Sequence, residues 1–350
     1  MTSKPNYGGL DLLKFLVAFL VIANHTSPFV SFSPQLDFLL SGVLTRIAVP
    51  IFFMSTGFFY FRKWTGDPLR DNKALYGYLK KIGKLYFTAI LIYIPLNVYT
   101  GYFTKEFTLY SLLKDVVFDG TFYHLWYLPA LMLGIMVTSF LYKKMPMPFV
   151  LAAAAFLYFI GLLGDSYYGL VAGTGISQMY DIMFHVFDYT RNGLFYAPVY
   201  LALGALAARK QTFQTNPIIN GILFMVSLDL MLIEGIFLHY AGIPRHDSMY
   251  IFALPASYFL FQWAFSWKGK SNKRFREWRV WIYLLHPMAI VLVRGAAKTV
   301  HLERLLIMNS LLHFVAVCLA SIMMAAAAAR IYGFPLKKRW RKSASSKEIA

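Results

Sequence analysis

The first apolar stretch of the sequence, residues 9–27, carries three ionisable side chains, Asp11, Lys14 and His25. In a helix, Asp11 lies one turn before Lys14, and His25 lies about three turns beyond Lys14 on the same face. An imidazole near a cation can act as a general base while the cation stabilises developing negative charge. The same groups can also bind a carboxylate or relay a proton in a transporter, and the residue types do not distinguish these chemistries.

Arg46 in the second apolar stretch is a further candidate. A guanidinium stays charged at that depth, so it needs an anion, backbone carbonyls or water around it. We predict that Arg46 approaches the depth of His25 and acts with it and Lys14 at a catalytic site. Each of these residues also has a structural alternative. Arg46 can form a structural ion pair, His25 can lie at the membrane interface, and Lys14 can extend its side chain to the lipid headgroups.

Candidate substrate-binding residues follow in the loops and at the predicted outer ends of later apolar stretches. They are His124, Trp126, Asp188, Arg191, Asn192, Glu234, His246, Asp247 and His286. Ordinary alternatives exist: Trp126 fits an interfacial aromatic belt, His246 and Asp247 fit a solvated turn, and His286 fits a packed core histidine. No zinc-binding HExxH, GxSxG or phosphate-binding glycine loop is present, and one cysteine, Cys318, permits no multi-cysteine metal site. We therefore predict no metal site.

The elements that must hold these residues are membrane helices. The 350 residues are 58% hydrophobic and only 14% charged, with a mean hydropathy of +0.53, which predicts an all-α, polytopic membrane helix bundle. Apolar stretches of spanning length predict ten transmembrane helices at about 9–27, 39–61, 82–102, 123–142, 147–164, 191–208, 216–240, 248–267, 279–296 and 305–332.

The basic residues predict the orientation of this bundle. Of 34 Lys and Arg residues, 25 fall on one side of the predicted spans and 6 on the other, so both termini are predicted to be cytoplasmic. This asymmetry accounts for the net charge of +18 without a nucleic-acid partner. We expect residues 1–335 to form one transmembrane domain in the cell membrane, with the lipid bilayer as its partner, and residues 336–350 a basic cytoplasmic tail.

Several segments resemble the acyltransferase family 3 integral membrane proteins: GLDLLKFLVAFLVIANH, RIAVPIFFMSTGFF, HLWYLPAL and YLLHP. Within that family, IGLLGDSYYGL, DYTRNGLFYAPV, GIPRHDSMYIF and WIYLLHP look like the membrane domain of the serine racemases of vancomycin-resistance operons. The likeness covers nearly the whole chain. The racemase domain of those proteins, which binds pyridoxal phosphate, is expected to be absent, so racemisation is not expected.

The resemblance implies a ten-helix acyltransferase bundle that takes an acyl group from cytoplasmic acyl-CoA and delivers it outside. The family pattern in the first helix is an arginine, ten residues and a histidine. Here His25 matches and Lys14 replaces the arginine, which keeps the charge but loses the bidentate fork. Arg46 matches the arginine of the second helix.

We therefore expect a membrane O-acyltransferase that moves an acyl group, acetyl by preference, from acyl-CoA to an extracytoplasmic glycan or small hydroxyl acceptor. His25 is the expected general base, with Lys14 and Arg46 as electrostatic partners. No tightly bound cofactor is expected; acyl-CoA is a co-substrate. The alternatives are a permease for a small polar solute such as L-serine, which the racemase likeness favours, and a non-catalytic sensor or assembly partner.

Overall fold

A computed structural model describes residues 7–104, 107–209, 216–269 and 271–345, with side chains described as far as Ile331. The described part of the chain is helical and contains no strand, which confirms the all-α prediction. The helices are α1 (Gly8–Thr26), α2 (Pro34–Asp37), α3 (Ala48–Phe61), α4 (Pro68–Tyr99), α5 (Leu109–Lys114), α6 (Tyr127–Lys144), α7 (Met147–Leu163), α8 (Gly175–Val186), α9 (Ala197–Arg209), α10 (Pro217–Tyr240), α11 (Ala253–Ala264), α12 (Lys273–Thr299) and α13 (Ser310–Ser345).

Each of the ten predicted spans overlaps a helix. Among the described residues, six stretches are long and apolar enough to cross a membrane: Gly8–Thr26, Pro34–Phe61, Pro68–Tyr99, Pro217–Tyr240, Lys273–Thr299 and Ser310–Ile331. Two shorter apolar helices, Met147–Leu163 and Ala197–Arg209, occupy the fifth and sixth predicted spans. The protein is thus a multi-pass membrane protein, while the count of ten crossings and the orientation of the termini remain predictions.

The end of the chain is only partly described. Helix α13 extends to Ser345 and so includes much of the predicted tail at 336–350, whose residues 346–350 lie outside the described part. Five basic residues counted in the charge comparison also lie outside it: Lys4, Lys105, Lys210, Lys270 and Lys347.

The chain forms two compact units, residues 1–41 with 267–350 and residues 42–266. In the first unit, α1, α12 and α13 pack on one another. In the second unit, α9 is central and packs on α3, α6 and α7, while α10 packs on α11.

Glycines set the closest approach in the second unit. A Cβ at Gly57 of α3 would lie 2.1 Å from the carbonyl oxygen of Leu201, and one at Gly204 of α9 would lie 2.1 Å from that of Met54. The two backbones therefore touch, as small residues allow at membrane-helix interfaces. Helix α9, which follows the loop that carries Arg191, is therefore held close against α3.

Candidate functional site

A buried carboxylate gathers several cations where α1 meets α12 in the first unit. Asp11 and Lys14 are each 2% exposed, and the Lys14 Nζ lies 3.6 Å from Asp11 Oδ1. From the other helix, Arg276 Nη1 lies 3.2 Å from Asp11 Oδ2 and Arg279 Nη1 lies 4.0 Å from Oδ1. Ser271 donates a hydrogen bond of 2.8 Å to the same carboxylate. Three basic side chains thus surround one carboxylate. The two arginines alone outnumber it, so the group, here called the Asp11 cluster, carries surplus positive charge.

A pair of histidines lies farther along the same two helices. The rings of His25 on α1 and His286 on α12 are stacked, with centroids 5.3 Å apart and planes inclined by 25°. Because Arg276 lies beside Asp11 and His286 beside His25, α1 and α12 run parallel. Eleven residues separate Lys14 from His25, so the histidine pair lies about 16 Å beyond the Asp11 cluster.

The hydrogen bonds of His286 define its tautomer. Its Nδ1 lies 2.8 Å from the carbonyl oxygen of Tyr283 and 3.1 Å from that of Ile282. Carbonyl oxygens only accept, so Nδ1 carries the hydrogen, and in the neutral ring Nε2 holds the lone pair. His286 is fully buried, whereas His25 is partly exposed at the last turn of α1. Of the two rings, His25 is therefore the one that a substrate can reach.

Arg46 belongs to the second unit. It lies on a tight 3-10 turn, Leu44–Ile47, between a π-helical turn and α3, and its Nε donates 3.0 Å to the Gly42 carbonyl. Pro50 has no N–H to donate to the carbonyl of Arg46, which explains why regular helix is interrupted there. Lys14 and His25 lie in the first unit, so the predicted meeting of Arg46 with them remains a prediction.

Arg191 lies in the loop that enters α9, and aromatic rings surround it. Its guanidinium carbon is 5.0 Å from the centre of a ring of Trp126 and 4.5 Å from that of Tyr189. Its Nε is buried and has no hydrogen-bond partner among the described residues. Arg46 and Asp165 are close enough to influence its charge. The structure therefore brings together Arg191 and Trp126 from the predicted binding residues, with Asp165 beside them.

Two other predicted residues of this loop are used to build it. The Asn192 Oδ1 accepts from the backbone N–H groups of Leu194 (2.9 Å) and Phe195 (3.2 Å), and its Nδ2 donates 2.9 Å to the Tyr189 carbonyl. Asp188 forms a 2.5 Å ion pair with Lys114. These contacts hold the loop that presents Arg191.

Glu234 links three segments of the second unit. Its carboxylate accepts hydrogen bonds from the Tyr167 hydroxyl (2.7 Å) and from the backbone N–H groups of Ile251 (2.6 Å) and Phe252 (2.9 Å), just before α11 begins. A carboxylate at a helix N-terminus satisfies donors that the helix cannot. Its role as a substrate ligand remains a prediction beside this structural role.

The three remaining predicted residues of the second unit, His246, Asp247 and His124, each contact a different side chain. His246 packs on the ring of Tyr189 at 4.7 Å, and Asp247 lies 3.5 Å from His239 rather than forming a pair with His246. Burial and nearby Arg245 and Arg191 lower the pKa of His246 to about 4. His124 is buried edge-on to the ring of Tyr93 at 4.9 Å.

Sequence reasoning overlooked three residues that the structure places at these sites: Arg276, Arg279 and Asp165. It counted the two arginines as loop charges. Arg279, Tyr283 and His286 lie three, seven and ten residues beyond Arg276, a spacing that places these residues on one helix face. This signal was present in the sequence. Asp165 had no comparable signal, because its neighbours come from a loop about 80 residues away.

The comparison with known families is decisive for membership. A family described as "Acyltransferase domain" matches residues 7–330. The chain belongs to acyltransferase family 3. Family membership supports a membrane acyltransferase as its general class of activity. No solved structure matches the chain.

Two similar proteins are named as racemases rather than as acyltransferases. The chain is 37% identical over 329 residues to an "Amino-acid racemase" of Enterococcus faecalis, covering 93% of this chain and 45% of that protein. It is 33% identical over 316 residues to a "Serine/alanine racemase" of Enterococcus gallinarum, covering 90% of this chain and 45% of that protein. The chain thus spans a little under half the length of these curated relatives, so their whole-protein activity is not transferred to it.

Proposed function

We propose that this protein transfers an acyl group, acetyl by preference, from acyl-CoA to a hydroxyl group of a cell-envelope glycan or a similar extracytoplasmic acceptor. Two observations support the proposal. The chain is an acyltransferase family 3 member over residues 7–330. In the first unit, a surplus of positive charge and a histidine pair lie at two levels of the same parallel helix pair.

The Asp11 cluster provides the binding site for the donor. Acyl-CoA is a polyanion because it carries a diphosphate and a further phosphate. Arg276 and Arg279 bring two positive charges against the single carboxylate of Asp11, and Lys14 is a third basic group beside it. The surplus favours a phosphate, and the arginines offer the paired donors that phosphate oxygens accept. Lys14, which stands where the family pattern has arginine, supplies charge without the fork.

His25 is the proposed general base. It accepts the proton of the acceptor hydroxyl as the oxygen attacks the thioester carbonyl carbon. The carbon–sulfur bond then breaks, the acyl ester forms, and the departing thiolate takes up a proton to leave as free CoA. The His286 ring stacks on His25 and is held by two carbonyl groups, so it fixes the orientation of the His25 ring.

The orientation of the reaction follows from the predicted topology. With the N-terminus cytoplasmic, the Asp11 cluster faces the side where acyl-CoA is made, and His25 lies toward the outside. The proposed location is the cell membrane, with the bilayer and acyl-CoA as partners.

The test measures free CoA thiol released from acetyl-CoA by the protein purified in detergent, with an envelope glycan fraction as acceptor. Wild type is expected to release CoA in step with ester formation. His25→Ala is expected to abolish both, while the exposed His301→Asn variant is expected to retain them. Equal release by wild type and His25→Ala would contradict the proposal.

A further inference from the structure

Among the described residues, Arg191 forms no ion pair or hydrogen bond through its side chain. Its Nε is buried with no hydrogen-bond partner among the described residues, and its recorded contacts are the faces of Trp126 and Tyr189. Contact with the faces of rings uses the positive charge of a guanidinium and none of its N–H donors. Arg191 is half-buried, and a buried N–H group such as that of its Nε is costly to leave without an acceptor.

Asp165 is the complementary group. Its Oδ1 accepts from the backbone N–H groups of Ser248 (2.8 Å) and Met249 (3.1 Å) and from the Ser166 hydroxyl (3.0 Å). Its Oδ2 is buried and has no hydrogen-bond partner among the described residues. One oxygen therefore holds the loop, and the other keeps its accepting capacity. Asp165 itself is fully buried.

The two groups influence each other without pairing. Burial raises the pKa of Asp165 to about 6, while the Ser248 N–H and the positive charge of Arg191 act in the opposite direction. Within the described part of the chain, however, Arg191 and Asp165 form no ion pair and no hydrogen bond with each other. Each is held by other partners: Asp165 by the 245–249 loop and Arg191 by its two rings. The Arg191 Nε and the Asp165 Oδ2 therefore each keep one hydrogen-bonding direction that a third group can fill.

We propose that Arg191 and Asp165 form a binding site for a small carboxylate that also carries a hydroxyl or ammonium donor. The ligand carboxylate lies in the plane of the Arg191 guanidinium, and the donor reaches Asp165 Oδ2. A uronic acid sugar and a hydroxylated amino acid share this chemistry. The inference goes beyond the proposed function, because it gives the chemical class of a ligand bound within the second unit.

The test measures binding to the purified full-length His25→Ala protein at pH 7.5 in detergent, without any acyl donor, by isothermal titration calorimetry. The probes are D-glucuronate with its neutral amide, and L-serine with L-serinamide. Within at least one of these pairs, the carboxylate is expected to bind at least tenfold more tightly than the amide. The pair that shows this preference identifies the source as sugar acid or amino acid. No preference in either pair would overturn the proposal.

Two variants test the residues. Arg191→Lys keeps the charge and loses the fork, and it is expected to weaken the preferred carboxylate at least tenfold. Asp165→Asn keeps the accepting oxygen that holds the loop and replaces the other, and it is expected to weaken the same probe by a similar factor. Arg245→Lys is the matched control, because Arg245 also lies over a ring, 3.5 Å from the centre of Phe184, but donates to the Asp188 carbonyl.

The outcomes separate this proposal from the proposed function. Selective carboxylate binding, together with no CoA release by the wild-type protein, would support the carboxylate site and contradict the proposed acyl transfer. CoA release with no carboxylate preference would support the acyl transfer and contradict the carboxylate site. Equal weakening by Arg191→Lys and Arg245→Lys would assign Arg191 a structural role and overturn the inference.

Discussion

The two units treat a buried carboxylate in opposite ways. In the first unit, Asp11 collects cations, with Lys14 and Arg276 within 3.6 Å of its oxygens and Arg279 at 4.0 Å. In the second unit, Asp165 is turned toward backbone N–H groups, and the neighbouring Arg191 is stacked on rings instead of pairing with it. The first arrangement leaves surplus charge, whereas the second leaves unused hydrogen-bonding directions.

This difference suggests two kinds of ligand. Surplus positive charge attracts any polyanion and tolerates variation in its geometry, which suits the phosphates of a donor such as acyl-CoA. Separated, orientated groups select a ligand by the positions of its own donor and acceptor atoms, which suits recognition of one small molecule. Single substitutions can alter one arrangement at a time.

The largest expected effect comes from removing the proton acceptor while leaving both carboxylates intact. His25→Ala is expected to lower kcat by about 10²–10⁴-fold, the usual contribution of a general base. The affinity for CoA should be unchanged, because the Asp11 cluster lies about three helical turns away. Transfer rates and CoA titrations on the same preparation check both statements, and a parallel loss of CoA binding would point to misfolding instead.

The Asp11 cluster can be weakened without touching the histidines. Arg276→Gln is expected to raise the KM for acetyl-CoA about tenfold with little change in kcat, since it removes one charge-assisted contact to phosphate. Lys273→Gln is the control on the same helix, because Lys273 pairs with Glu277 and is 74% exposed. Steady-state kinetics at two salt concentrations should show a weaker salt dependence of KM in Arg276→Gln. An equal rise of KM in both variants would remove the site-specific explanation.

A substitution of Glu234 distinguishes a structural role of this carboxylate from a ligand-binding role. Glu234→Gln places an amide donor against one of two backbone N–H groups, and it is expected to cost about 1–3 kcal/mol of stability. A fall in Tm with unchanged kcat and KM per folded molecule fits the three contacts of Glu234. A rise in the KM for acceptor at unchanged Tm would instead support its predicted role as a substrate ligand.

The smallest effect is a pH dependence at His246. Its pKa in the folded chain, about 4, lies below the ordinary value of 6.5. Between pH 6.5 and 4, the unfolded chain therefore binds a proton at His246 that the folded chain does not bind. This residue therefore lowers stability as pH falls from 6.5 to 4. Asp119 and Asp165, whose pKa values burial raises to about 6, act in the opposite direction over much of this window.

The contribution of His246 is isolated by comparison of variants. The Tm of His246→Gln should fall less than that of wild type between pH 6.5 and 4.5, while the exposed His185→Gln variant should follow wild type. Parallel curves for all three proteins would show that His246 is already protonated or already solvated in the folded state.

The sequence predicted the helices better than the sites. Apolar length located a helix at every predicted span, because the thickness of the bilayer imposes that length. The helix face with Asp11, Lys14 and His25 was also readable, since one helix fixes its own periodicity. The pairing of Asp11 with Arg276 was not, because it joins helices about 260 residues apart. Nor could the sequence show that Asn192 would be used in its own turn, since its type fits a ligand equally well.

The most direct measurement of the central claim uses sealed proteoliposomes, with acetyl-labelled acetyl-CoA on the Lys14 side in one sample and labelled L-serine in a parallel one. The account predicts CoA thiol on the donor side, label on a hydroxyl acceptor supplied on the opposite side, and no accumulation of serine. Serine accumulation while acetyl-CoA stays intact, in wild type and His25→Ala alike, would contradict it and make the protein a permease.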